Sequence, residues 1–133
     1  MANALAFDTT FMIDFQRERA SRPSDGGAHR FLREHAGATL RLPATALGEF
    51  AEGFARDDDP VLLATARCFE VLPVDRETAL RYGALVRTLR AEGRLIGTND
   101  LWIAACALRH AHPLVTRNTE EFSRVPGLTV LGY

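Results

Sequence analysis

The stretch that most constrains this chain runs from Leu101 to Leu108, an uninterrupted apolar segment with no polar face, led by the single acid Asp100. A helix without a hydrophilic stripe has to be covered on more than one side, so this segment reads as a central helix with other elements packed around it. Thr98 and Asn99 are good N-cap types, which places the Asp100 carboxylate in the first turn. There the free amides and the positive end of the macrodipole favour an anion. Acids gather in first turns for structural reasons alone. Asp100 therefore acquires a chemical meaning only from where the other acids fall.

Ala4-Leu5-Ala6-Phe7 is a short unbroken apolar run that stops abruptly at Asp8. Such runs fit central parallel strands buried on both faces. Asp8 then stands at the carboxyl end of the strand, the edge where open α/β sheets bind ligands. Thr9 or Thr10 is placed to cap a helix bearing Phe11, Ile13 and Phe15, which the stretch Ser21 to Gly27, with Pro23, breaks. Asp14, inside that helix, reads as structural or solvated. A second helix over Ala28 to His35 ends before Gly37, and Thr39 to Leu42 is a weak strand. The third helix opens at Pro43-Ala44-Thr45, with Leu47, Phe50, Ala51 and Phe54 at i, i+3, i+4 and i+7 on one face. Glu49 lies two residues from Leu47, roughly 200° round the helix. By periodicity alone it is a solvated acid, and nothing in the spacing chooses between Glu49 and Glu52.

Asp57-Asp58-Asp59-Pro60 points its acids in different directions and reads as a solvated loop with a helix start at Pro60. Phe69 to Val74 forms a strand interrupted by Pro73. Asp75 then caps a long helix with Ala79, Tyr82, Val86 and Leu89 inward and Gly93 as its stop. Arg87, Arg90 and Arg94 make a stripe along it, and supply the phosphate-contact candidates. Pro113 to Thr116 and Leu128 to Leu131 complete the strands. Short apolar strands alternating with helical segments give an α/β fold, a three-layer α/β/α sandwich around a mostly parallel sheet, in one domain over residues 1–133.

The charge balance adds two constraints. All 16 strong cations are Arg, so Arg alone is available to grip carboxylate or phosphate, and the net charge is only −1. Were four acids engaged by a metal, the remainder would carry +3, so a polyanionic substrate fits. With no bilayer-length apolar run and no leader-like start, the expected location is cytoplasmic, without membrane association. Cys68 and Cys106, each in an apolar neighbourhood, read as reduced core thiols.

Two acids reach one sheet edge from the strand pattern alone, Asp8 and one of Glu120 or Glu121, and Asp100 joins them if its helix begins at the same rim. Clustered carboxylates stay ionised only with a cation among them. Oxygen ligands select a hard ion, Mg²⁺ or Mn²⁺, whose natural chemistry is phosphoryl hydrolysis. At the level of motifs, the chain resembles the PIN-domain ribonucleases, and most closely the VapC toxins of bacterial toxin–antitoxin pairs. The matching pieces are Phe7-Asp8-Thr9-Thr10, Gly48-Glu49-Phe50, Ile96 to Ala105, and Thr116 to Leu128, in order over nearly the whole chain.

The resemblance implies an acidic, metal-binding and catalytic set of Asp8, Glu49, Asp100 and Glu121. It thereby selects Glu49 over Glu52, with Glu121 standing where many members have Asp and Asn118 as the alternative fourth ligand. Thr9, Thr116 and Asn118 fall in supporting positions, and Asn99 in one that reaches substrate. Further implications are a homodimer, a cognate antitoxin that occludes the site and forms a hetero-oligomer with the toxin, and endonucleolytic cleavage of structured RNA such as tRNA. The competing readings are a non-catalytic PIN-like module that binds RNA or protein, and a housekeeping RNA-processing nuclease. A dehalogenase-type phosphatase wants a second acid where Thr10 stands, a receiver domain wants a Lys, and dinucleotide binding wants a glycine-rich turn after the first strand. None of those is present.

Overall fold

The computed structural model describes residues 3–21 and 26–133. Five strands, β1 (Ala4–Phe7), β2 (Thr39–Pro43), β3 (Glu70–Leu72), β4 (Leu114–Val115) and β5 (Val130–Leu131), form one sheet in the order β3-β2-β1-β4-β5, and every pairing is parallel. Seven helices fill the connections among the described residues: α1 (Thr9–Ser21), α2 (Gly27–Glu34), α3 (Ala44–Ala51), α4 (Pro60–Ala66), α5 (Arg76–Ala91), α6 (Thr98–Arg109) and α7 (Thr119–Phe122). The expected α/β/α sandwich is the fold observed. No helix in the described residues is long and apolar enough to cross a membrane.

Strand β1 is central because it is apolar on both faces, and its register fixes what each face meets. Leu5 pairs with Leu40 and Ala6 with Arg41, so the two faces alternate along the strand. Phe7 packs edge-on or tilted against Phe11, Phe31 and Phe69 at ring-centroid distances of 4.5, 6.1 and 5.4 Å, an aromatic cluster that seats α1 and α2 on one side. On the other side α6 lies against β2 and α5. Its residues Ile103 to Ala107 are all buried, as expected for a helix without a polar stripe. Asp75, at the start of α5, pairs with Arg109, at the end of α6, at 3.3 Å, so the two helices run antiparallel. Tyr82 of α5 stacks on Trp102 of α6 at 3.8 Å.

Several local expectations are revised. Asp8 itself caps α1, its Oδ1 accepting the Phe11 N–H at 3.1 Å, so neither Thr9 nor Thr10 is the cap. Gly97 precedes α6 without a side-chain cap, which makes Thr98 and Asn99 the first helical residues and puts Asp100 third, still in the first turn. Helix α5 is turned by about one residue: Thr78, Leu85 and Leu89 are buried, Tyr82 and Val86 are half-buried, and Ala79 is exposed. Thr78 goes inward because its hydroxyl and amide both bond the Asp75 carboxylate, at 2.7 and 2.8 Å. Cys68 is exposed, whereas Cys106 is buried and its thiol is pushed up to about 11 by that burial. Helix α4 starts at Pro60 and Gly93, at φ 66°, stops α5, both as expected, and Asp59, read as part of a solvated loop, caps α4. Pro23 lies outside the described residues.

A candidate carboxylate centre at the carboxyl edge of the sheet

Asp8 follows the central strand and is only 2% exposed. Because Phe7 pairs with Val115, the next residues of the two strands, Asp8 and Thr116, come side by side. The fully buried Thr116 hydroxyl donates to Asp8 Oδ2 at 2.5 Å and accepts the Asn118 amide at 2.9 Å. Thr10 Oγ1 donates to Asp8 Oδ1 at 2.7 Å. Burial pushes the Asp8 carboxyl above its ordinary range. The three hydrogen bonds pull it back in part, and the charge of Glu49 adds to the rise.

Glu49 is half-buried, contrary to the solvated position its own helix periodicity gives. Thr9 Oγ1 donates to its Oε1 at 2.7 Å and Asn99 Nδ2 to its Oε2 at 3.0 Å. These donors come from α1 and α6. Glu52, by contrast, is exposed at the end of α3. On α6, Asp100 is pushed up to about 7, first by burial, then by the charge of Glu121 and a hydrogen bond with it, and then by Glu49 and Asp8. The Asp100 carboxyl on α6 thus meets a second carboxyl, that of Glu121 on α7. Glu121 stands in the first turn of α7 and accepts the Gly97 amide at 3.4 Å, while Glu120 is exposed.

The structure therefore brings Asp8, Glu49, Asp100 and Glu121 to one edge, within electrostatic reach of one another, with Thr9, Asn99 and Thr116 bonded to them. Among the described residues, no three carboxylate, histidine or cysteine side chains converge closely enough to form a ligand set as they stand. Asn118 contributes its backbone; its side chain is exposed and makes no cap bond. Arg87 and Arg90 are exposed on α5, at the end brought towards the start of α6 by the antiparallel pairing, and make no hydrogen bond or ion pair with the four acids. Thr10 and the Gly97 amide are partners that sequence reasoning missed. Only their nearness in sequence to Asp8 and Asp100 hinted at them. A cavity of about 870 Å³ lies at the opposite end of the sheet between His35, His110 and His112, and none of the four acids lines it.

Comparison with known proteins gives a consistent result. A ribonuclease VapC1 of Haemophilus influenzae (strain R2866) is 45% identical over 58 residues, which is 44% of this chain and 43% of that protein, less than half the length of either. The crystal structure of VapBC2 from Rickettsia felis, bound to a DNA fragment from their promoter, superposes with a TM-score of 0.80 at 21% identity, covering 97% of this chain and 98% of that one. A Mycobacterium tuberculosis protein, VapBC-5, of the VapBC family of toxin–antitoxin systems, superposes with a TM-score of 0.64 at 28% identity, covering 97% and 96%. The PIN domain pattern matches residues 5–128, a span that runs from within β1 through α7 and contains all four acids. With that span matched from the buried Asp8 to the Glu121 carboxyl, the chain belongs to the PIN domain family.

Proposed function

We propose that this chain is a metal-dependent endoribonuclease of the VapC type, the toxin of a toxin–antitoxin pair, acting on structured RNA such as tRNA. The observation that supports it best is the meeting of four carboxyls at one edge, from the end of β1 and from α3, α6 and α7, each within electrostatic reach of Asp100. A fold gains nothing in stability from that crowding, since like charges in a half-buried site repel. The donor set is all oxygen, which fits Mg²⁺ or Mn²⁺ held by Asp8, Asp100, Glu49 and Glu121. Such an ion, when bound, neutralises charge at the scissile phosphate and lowers the pKa of an attacking water.

The protein's own groups set the geometry. Thr116 and Thr10 fix both oxygens of Asp8, Thr9 and Asn99 fix both oxygens of Glu49, and the Gly97 amide orients Glu121. The products are a 5′-phosphate and a 3′-hydroxyl. The relatives named as ribonucleases and the solved toxin–antitoxin relative support the same reading. The proposal includes a homodimer and a cognate antitoxin whose Arg side chain enters the acid cleft, since clustered carboxylates attract a guanidinium as well as a metal. Incubation of the purified protein with unfractionated tRNA and Mg²⁺, followed by sequencing of the RNA ends, tests it. Cleavage that persists in excess EDTA, or that leaves 2′,3′-cyclic phosphate ends, refutes the mechanism.

A further inference from the structure

Arg117 stands at the edge of the carboxylate centre, and no role has been assigned to it. It sits between Thr116, which bonds Asp8, and Asn118, the residue just before α7. Its amide approaches Thr10 Oγ1 at 3.4 Å, and that same hydroxyl donates to Asp8. The side chain runs back along α1 to Asp14, where a single nitrogen, Nη1, donates to both carboxylate oxygens at 3.0 and 2.9 Å. Asp14 is in turn fixed by the Tyr133 hydroxyl at 2.6 Å, and the Tyr133 ring packs edge-on against Phe11 at 4.9 Å. Asp14 is 17% exposed and Arg117 56% exposed, so the acid is built in and the cation faces outward.

An Arg meant only to neutralise a carboxylate pairs best through two nitrogens in a fork. Here one nitrogen carries both contacts, and the rest of the planar donor face is open to solvent. From Thr10 to Asp14 is one helical turn, about 6 Å along α1. The guanidinium is thereby set one short step from the Asp8 carboxylate, on the side of the cleft formed by α1 and the segment after β4. We infer that Arg117 binds a backbone phosphate of the RNA next to the one cleaved, held ready by the Asp14–Tyr133 pair. This rests on the nuclease reading above. It also shifts the phosphate contact from the α5 stripe, where Arg87 and Arg90 have no such support, to a cation with a buttress.

The test uses Asp100→Asn as a cleavage-incapable background and fluorescently labelled unfractionated tRNA as the probe, with dissociation constants measured over a range of salt. Adding Arg117→Ala should weaken binding about fivefold or more and reduce the slope of log affinity against log salt by about 1, the signature of one lost phosphate contact. Arg33→Ala, an exposed cation on α2, controls for net charge. Asp14→Asn keeps a side-chain oxygen to accept from the guanidinium and so preserves the buttress while removing the competing charge, so it should shift binding in the opposite direction, towards tighter. Equal losses in Arg117→Ala and Asp14→Asn would make the pair a strut between α1 and the β4–α7 segment, and an unchanged salt slope in Arg117→Ala would refute the phosphate contact. If the background protein binds no RNA at any salt and the wild type cleaves none, the nuclease reading fails instead.

Discussion

Helix α6 begins beside Glu121, with Asp100 in its first turn, and ends in Arg109 and His110, beside Arg41 and His112. In part this is the ordinary complement of a helix dipole, acid at the amino end and base at the carboxyl end. The two ends differ in what surrounds them. At the lower end, Arg109 has Asp75 at 3.3 Å and Glu77 at 4.0 Å, and Arg41 has Glu70 at 4.0 Å, so unlike charges meet. At the upper end the neighbours of Asp100 are Glu121, Glu49 and Asp8, all of its own sign. A dipole accounts for one acid in a first turn, worth roughly 0.3–1 kcal/mol when exposed. It gives no reason to bring three more.

That contrast breaks most sharply under charge removal. Asp100→Asn and Asp8→Asn should each lower RNA cleavage about a thousandfold or more while leaving the protein folded. In metal-free buffer their thermal midpoints should equal or exceed that of the wild type, because repulsion is relieved. Arg109→Ala at the other end should do the reverse, lowering the midpoint through loss of the Asp75 pair and sparing cleavage. A dipole-only role predicts destabilisation at both ends.

A smaller effect separates Glu49 from Glu52. Glu49→Gln should cut activity strongly at limiting Mg²⁺ and less at saturating Mg²⁺, whereas Glu52→Gln should stay within about twofold of wild type in both. Equal losses would mean that α3 presents a different face. Next comes metal itself. Mg²⁺ at about a hundred times its dissociation constant should stabilise the wild type by about 2.7 kcal/mol in thermal unfolding, and Asp100→Asn by much less.

The smallest effects are in pH, and they have opposite signs. Asp8 and Asp100 are raised, chiefly by burial, so the folded protein holds protons that the unfolded chain releases. Metal-free stability should therefore fall as pH rises from about 4 to about 7. Asp100→Asn should flatten this slope. His110 and His112 are lowered, first by burial and then by Arg109 and Arg41 respectively, so the folded protein holds fewer protons there. Their contribution should be lost as pH falls below about 6.5. Urea titrations across pH, with and without the Asn substitution, read both.

What could be read in advance follows from how local each signal is. Strand β1, helix α6 and the parallel sheet are written in contiguous apolar runs, and Asp8 inherits its place at the sheet edge from the strand that precedes it. Glu49 shows the limit. Its helix period reports only its own face, whereas its two partners, Thr9 and Asn99, lie 40 and 50 residues away. The turn of α5 was missed for a related reason: Ala79 is apolar but small, and the burial of Thr78 depends on a hydroxyl bond to Asp75 that a hydropathy pattern does not record. Cys68 likewise follows α4 closely enough to look internal, yet its thiol lies at the surface, nearest the Ala64 carbonyl at 3.6 Å.

The connection between Asp8 and Thr116 spans 108 residues, and β4 joins β1 only after α6 has been made. During synthesis on the ribosome Asp8 emerges early, with Thr10 and Phe11 for company, while the strand that completes its surroundings has yet to be translated. Glu49 waits in the same way for Asn99. The centre is thus assembled only after α6, β4 and α7 have appeared, and a nascent fragment ending anywhere before α6 presents two isolated carboxylates and no cleft. Fragments divided between β3 and α5 should accordingly be inert apart, and regain the site only when they recombine.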